Sequence, residues 1–511
     1  MPVARSRAIA LIGMRGEIVE VEVDLADGIP AFNLIGLPDT ALGEARQRVR
    51  SAAANSQCEL PNRKFTVNLS PAALPKHGSG FDLAIALVML AAGGTVSAAS
   101  VEAVVHIGEL GLDGRVRSVP GVLPAVLAAK RLGCATVLVP AASAREASLV
   151  DGVRVVPVAT LRDAAIWHGA QLEPEDVPPP PAVPAAVEQA AAAPADLSDV
   201  VGNEEAVRAL TLAAVGGHHL FLLGPPGAGK TMLATRLPGI LPELDTAAAI
   251  ECASVRSLSG LSVDGLSLRP PFEAPHHTAS TPSIVGGGSG IIRPGAIARA
   301  AHGVLFLDEA PEFSRVALDA LRQPLETGVI TIQRANATAH FPANVQLVLA
   351  ANPCPCGRLG EAECSCTPMA RRRYLGRLSG PLLDRVDLQL TVRRITATGL
   401  RAAAEPSGRV STAAAARAVR DARAATVERL SGTPWRRNAD VPGSWLRARP
   451  RRPSREALAV LDRALERGAI TMRGYDRVLR IAWSLADLGS AGAPGRAEIG
   501  EALGYRTVAA A

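Results

Sequence analysis

The stretch Leu220-Phe-Leu-Leu-Gly-Pro-Pro-Gly-Ala-Gly-Lys-Thr-Met232 constrains the fold more than any other part of the chain. Four apolar residues run into a loop of Gly224, Pro225, Pro226, Gly227, Ala228 and Gly229, and Lys230, Thr231 and Met232 then open a helix. Backbone with so little side chain can close its N–H groups on phosphate oxygens, and a helix N-terminus favours the same negative charge. Lysine adds a point charge at the β- and γ-phosphates, and the threonine hydroxyl can ligate magnesium. Glycine, four residues, then Gly-Lys-Thr therefore predicts an ATP-binding strand, loop and helix.

Such a strand needs parallel neighbours. Val304-Leu-Phe-Leu-Asp308-Glu309 is four apolar residues ending in two acids, the form of a buried parallel strand delivering its last side chains to the ligand crevice. Asp308 is then placed to hold Mg2+ together with Thr231, and Glu309 to polarise an attacking water. Val345 to Leu349 reads as a further strand, and Asn352 beyond it can orient the same water. Between the two, 328–341 reads as two short strands with Arg334 and Asn336 near the tip, and Arg315 to Glu326 as a helix. The Gly- and Pro-rich passage from Ser257 to Ala296 suits an inserted loop, in which His276 and His277, being adjacent, point different ways and suit packing or partner contact better than metal.

The chain has 511 residues, enough for roughly three domains at ~150 each. Aromatic residues make up only 3%, so its cores must be built from Ala, Val and Leu. From Ala8 to about His168 the pattern is mixed α/β, with strands at 17–25, 65–69, 104–107 and 135–139 and helices at 40–55, 81–92 and 122–132. A Pro- and Ala-rich spacer at 171–195 separates this first domain, 1–170, from a nucleotide-binding core at 196–394 and a helical region at 395–511. No apolar run approaches the ~20 residues that cross a bilayer and no signal pattern opens the chain, so a cytoplasmic location without membrane contact is expected. The net charge of +6, carried almost wholly by arginine, permits nucleic-acid binding.

Cys354, Cys356, Cys364 and Cys366 gather four of the seven cysteines into the insert 354–366. Four thiolates could close a tetrahedral zinc site, or remain free redox thiols. Cys58, Cys134 and Cys252 are scattered and suit a core. Arg385 can reach phosphate in a neighbouring subunit, since a planar guanidinium stabilises transferring phosphoryl charge, or lie on a solvated face. Arg473 and Arg477 are candidates to touch the nucleotide from the helical region, or surface residues.

The P-loop, Asp308-Glu309, Asn352, Leu383-Asp-Arg-Val-Asp387 and Arg473 together resemble an AAA+ ATPase. The passage after the P-loop helix and the hairpin before Asn352 narrow this to the magnesium-chelatase and MCM-helicase branch. Gly36-Leu-Pro-Asp39, Val67-Asn-Leu-Ser-Pro71, Gly78-Ser-Gly-Phe-Asp82, Pro275-His-His, Arg293-Pro-Gly-Ala296 and the paired C-x-C motifs resemble the ComM family, also called YifB. The resemblance implies an α/β fold of two parts: an N-terminal domain like the Lon peptidase, then an AAA+ core with a C-terminal helical lid. It implies a ring, a hexamer, that moves branched DNA in recombination or transformation. Lys230, Thr231, Asp308 and Glu309 would be its Walker residues, Asn352 sensor one, Arg385 a finger acting in trans, Arg473 sensor two, and Arg334 a DNA contact. The Lon pattern breaks where Leu123 replaces the catalytic lysine and Gly78 the serine, with Ser79 one step away, so a non-proteolytic domain is expected. A metal-chelatase chaperone is the rival reading.

Overall fold

The computed structural model describes residues 3–36, 40–175, 195–288, 292–334, 337–359, 364–395 and 409–507. Leu37 to Asp39, most of the Pro-rich spacer, Asn336 at the hairpin tip and the start of the C-terminal helical region lie outside the described residues.

The first sheet has seven strands: β1 (Ala4–Ile12), β2 (Arg15–Ala26), β3 (Ala31–Ile35), β4 (Lys64–Ser70), β5 (Val105–His106), β6 (Thr136–Pro140) and β7 (Arg154–Val158), in the spatial order β3-β4-β2-β1-β5-β6-β7. β1 and β2 form an antiparallel hairpin with Ala8 opposite Val19, and alternation along them buries Val19, Val21 and Val23 while Glu20 and Asp24 face water. Helices α1 (Ala45–Asn55), α2 (Asp82–Ala92), α3 (Val122–Arg131) and α4 (Leu161–Trp167) pack around it. α2 is buried on every side from Asp82 to Ala91, as its unbroken apolar run requires. The helix expected at 40–55 is broken at Glu44.

The second sheet is five-stranded and parallel throughout. After α5 (Glu204–Gly216) come β8 (Leu220–Leu223), α6 (Lys230–Ile240), α7 (Thr246–Leu258), the two-residue edge strand β9 (Phe272–Glu273) and α8 (Thr281–Val285). β10 (Val304–Leu307), the antiparallel hairpin β11 (Val329–Arg334) and β12 (Ala337–Pro342), β13 (Gln346–Ala351), α9 (Pro368–Leu375) and β14 (Leu388–Thr391) follow, giving the order β9-β10-β13-β8-β14. β10 and β13 are buried at every residue, which is why their sequences read as apolar runs without alternation. The passage expected as an inserted loop is in part structured: it supplies the edge strand and α8. The helix expected from Arg315 to Glu326 is interrupted, because Pro324 has no N–H to continue it.

Among the described residues the longer lid helices are α10 (Thr412–Arg429), α11 (Arg455–Glu466), α12 (Met472–Leu488) and α13 (Arg496–Thr507). Val419, Leu461, Val478, Ile481 and Ile499 pack into one core with Leu210, Leu222 and Leu388 of the sheet layer. The two halves of the chain also share apolar surface, since Ala253 and Val263 are buried among Val122, Leu123 and Val126 of α3. Among the described residues no helix is long and apolar enough to cross a membrane.

Candidate active site

The loop after β8 turns because Gly224 lies against the strand beside it: a Cβ there would stand 2.3 Å from the Val392 carbonyl oxygen. Gly227 and Gly229 hold left-handed backbone at φ +74° and +90°, so Gly229 caps α6 and the loop's N–H groups are left to converge. Lys230 Nζ donates to the carbonyls of Gly224 (2.6 Å) and Pro225 (3.0 Å) and to Asn352 Oδ1 (3.0 Å). Burial lowers this ammonium from its ordinary value, while Asp308 and Glu309 push the other way. Thr231 Oγ1 donates to Asp308 Oδ2 at 2.6 Å, so the two oxygens expected to share Mg2+ are already side by side. This donor set, a hydroxyl and a carboxylate beside a helix N-terminus with a lysine folded over the loop, fits a magnesium-bound triphosphate.

Glu309 follows at φ 49°, ψ 42°, and its Oε2 lies 3.3 Å from His277 Nδ1, a contact the sequence did not signal. Tyr374 of α9 is a second residue missed: burial, then Glu312 and Glu309, push its hydroxyl up to about 12, so it stays protonated although the Asn352 backbone N–H donates to its oxygen.

The insert after Asn352 packs on the nucleotide loop, with a Cβ on Gly357 falling 2.6 Å from Pro226 Cγ. Cys354, Cys356, Cys364 and Cys366 bring their sulphurs within 4.8 Å of one another. That spacing suits a tetrahedral metal better than solvent. The Arg358 backbone lowers Cys356 to about 7, favouring the thiolate a metal requires. Cys58 and Cys134 are buried, as expected, whereas Cys252 is only partly so.

Arg385, Arg473 and Arg477 are not at this site. They line a separate cavity of about 500 Å³ together with His219 and Val345, the residues that lead into β8 and β13. The nucleotide loop leaves the other end of β8, roughly 13 Å away at ~3.3 Å per residue. Within one chain, therefore, neither Arg473 nor Arg477 reaches the P-loop. Arg477 is committed to the buried Asp387 carboxylate and the Arg385 carbonyl. Burial would raise the Asp387 carboxyl, but Arg477 and His218 hold it well below the usual carboxylate range. Arg385 pairs with Glu326, while Arg473 has no partner among the described residues.

Arg334 lies in the β11–β12 ladder opposite Ala337 and shares with Arg293 the rim of a second cavity of about 480 Å³, floored by Ile9, Leu11 and Phe81 of the first domain. Ser79 borders it and donates to the Glu109 carboxylate. Leu123 is fully buried, and Lys76 Nζ is spent on the Gly36 and Pro71 carbonyls. Neither Leu123 nor Lys76 offers the serine a base.

Comparison with known proteins identifies the family. The family "Subunit ChlI of Mg-chelatase" matches residues 21–143, "Magnesium chelatase, subunit ChlI" residues 196–400, and the ChlI C-terminal family residues 409–506. An uncharacterized protein of Mycobacterium tuberculosis is 47% identical over 518 residues, covering 100% of both chains. Competence protein ComM of Haemophilus influenzae is 42% identical over 504 residues, 98% of this chain and 96% of its own length. Lon protease of Mycolicibacterium smegmatis is 29% identical over 179 residues, 32% of this chain and 22% of that protein. Identity at this level along nearly the full length, on a parallel sheet carrying a complete P-loop, makes the chain a member of the ComM family of magnesium-chelatase-like AAA+ ATPases.

Proposed function

We propose that the protein is an ATP-hydrolysing motor that works as a hexameric ring and migrates branched DNA during recombination or the uptake of single strands. The observation that carries the ring is the separation of Arg385 and Arg473 from Lys230, Asp308 and Glu309 by the length of β8. An arginine finger so placed serves a nucleotide held by a neighbouring copy. Support for DNA comes from the hairpin, whose Arg334 projects with Arg293 at a cavity rim without a carboxylate partner among the described residues, and from the likeness to ComM. Arginine on phosphate gives the sequence-independent affinity that a motor on arbitrary DNA needs.

In this reading Lys230 exchanges its loop carbonyls for phosphate oxygens, Glu309 draws a proton from the attacking water, and Asn352 orients that water. Thr231 and Asp308 would hold magnesium, which would supply neutralising charge to the transferring phosphate. Cys354, Cys356, Cys364 and Cys366 would hold zinc as a structural ion, in an insert whose Gly357 packs on Pro226. The second reading, a motor subunit serving a metal chelatase, is favoured by the three magnesium-chelatase family matches.

ATP turnover and strand exchange on a synthetic four-way junction, with linear duplex and Glu309→Gln protein as controls, separates the two. Junction-stimulated turnover with strand exchange, lost in the variant, supports the motor. Turnover indifferent to DNA, with no junction movement at low salt, supports the chelatase reading instead.

A further inference from the structure

The second cavity, of about 480 Å³, takes its walls from both halves of the chain and has no part in the ATP chemistry. Ile9 and Leu11 of β1, Ile107, Val119 and, from the other half, Leu258 at the end of α7 give it an aliphatic interior. The halves are locked around it. A Cβ on Gly13 would stand 3.0 Å from the His340 carbonyl oxygen of the hairpin, and one on Gly121 3.0 Å from Leu258 Cδ2. At the rim stand Arg293 and Arg334; among the described residues no acid lines the cavity and neither arginine has an ion pair. Both hang from fixed backbone, since Arg293 exchanges N–H and carbonyl bonds with Gly287 at 2.9 and 3.0 Å and Arg334 pairs with Ala337 in the ladder. Two guanidinium forks, which donate and never accept, call for an anion such as a carboxylate. Ser79 Oγ, also at the wall, donates to Glu109, so its lone pairs remain to accept an N–H.

A ligand that matches every part of this lining has a carboxylate beside an aliphatic group, with an amide N–H next to both. The last residue of a peptide has that form. A nucleotide matches less well, because bases bind by stacking on open ring faces, and Phe81, the one phenyl ring at the cavity, is only 3% exposed. A fatty acid would leave Ser79 unused. We infer that the cavity captures the C-terminal tail of a partner protein, a tail ending in Val, Leu or Ile. Its carboxylate lies on Arg293 and Arg334, its aliphatic side chain against Leu11 and Leu258, and its last amide N–H on Ser79. Because neither Leu123 nor Lys76 offers Ser79 a base, the tail is held and not cut. The site does not depend on the DNA reading; where the hairpin also meets a strand, tail and strand compete for Arg334.

The test uses the full chain and a fluorescein-labelled peptide, Gly-Ser-Gly-Ser-Val-Leu, as free acid and as C-terminal amide, followed by anisotropy. The acid should bind about 10- to 100-fold more tightly than the amide, the worth of charge-assisted hydrogen bonds. Arg293→Ala, at an exposed side chain, should remove most of that difference. Gly80→Leu should abolish binding by filling the cavity, since a Cβ there meets only Val119, at 3.7 Å, and the added side chain has room to enter. Thermal melting checks that this variant is folded, and Arg293→Ala decides the matter if it is not. No binding by the acid peptide, equal affinity for acid and amide, or acid binding unchanged in Arg293→Ala overturns the inference. So does an oligo-dT strand that binds the parent and is released by Gly80→Leu while the acid peptide fails to bind, which gives the cavity to nucleic acid. Displacement of the peptide by equimolar decanoate overturns it too, by making the ligand a fatty acid.

Discussion

Arg477 and Arg473 stand four residues apart on α12 and line the same cavity, yet their removal should have opposite consequences. Arg477 joins the lid to the sheet layer through Asp387, whose side chain is 3% exposed against 16% for Arg477. Removing one member of a buried pair costs about 3–5 kcal/mol, because the remaining charge is left without compensation. His218 Nδ1, 3.5 Å from Asp387 Oδ2, offers some relief, so Arg477→Ala should fall near the lower end, about 3 kcal/mol. Arg473→Ala breaks no contact among the described residues and should stay within about 0.5 kcal/mol of the parent, while ATP turnover drops by roughly 10³-fold if it serves a neighbour's phosphate. Three of the four tryptophans, Trp435, Trp445 and Trp483, lie in the lid, so urea titration followed by fluorescence reads its unfolding directly. The sign with pH follows from Asp387. Its carboxyl is held low in the fold, so the stabilisation is present at neutral pH and lost as pH falls through the folded value. Without Arg477, burial dominates and the carboxyl rises, so protonation then favours the fold and the stability gap between variant and parent should narrow as pH falls. Equal urea midpoints for Arg477→Ala and Arg473→Ala would refute the division of labour between them.

Glu309→Gln should bind ATP with affinity near the parent's while turnover falls by about 10²- to 10⁴-fold, whereas Lys230→Ala should lose ATP binding itself, both read by equilibrium nucleotide binding beside phosphate release. Arg334→Ala should hydrolyse ATP yet fail to move a junction, and normal strand exchange by this variant would remove the hairpin from the mechanism. Purified protein should release one zinc per chain to a thiol-displacing reagent, Cys354→Ser should release none, and ATP affinity should weaken in the variant because Gly357 of the same loop packs on Pro226. His106, fully buried between Ser6 and His168, is pushed down to about 3 by burial, so it stays neutral while the unfolded chain takes up a proton. Stability of the first domain should therefore fall by up to about 1.4 kcal/mol per pH unit for this residue as pH drops below ~6.5, followed by the fluorescence of Trp167, which stands edge-on to His168. A flat midpoint between neutral and pH 4 would contradict that.

Strands buried on both faces were legible because nothing else in a sequence looks like Leu220–Leu223 or Val304–Leu307, bounded as they are by glycine or acid. β9 was not, since two residues between prolines and polar positions carry no period, and only pairing with β10 makes Phe272–Glu273 a strand. The same limit applies to the site. Spacing in the sequence identifies Lys230 and Thr231 because the P-loop fixes their local geometry, and Asp308 because it ends an apolar strand. It says nothing of His277, whose partner lies thirty-two positions away and meets it only through the edge strand. Arg473 and Arg477 could be named as candidates, but which end of the sheet they occupy depends on how α12 packs on Asp387, a tertiary fact.

The buried contact between α3 and the segment around Ala253 and Val263 changes what the proline-rich spacer is for. A domain joined only by a spacer samples a volume set by that spacer's length. Here Gly121 N–H also donates to the Ser257 carbonyl at 3.1 Å, and apolar side chains close over the seam. The first domain is thereby bolted to α7 rather than merely tethered to the ATPase layer. Shortening or lengthening the spacer by several residues should leave its position unchanged, whereas a single charge placed at Ala253 should set it adrift.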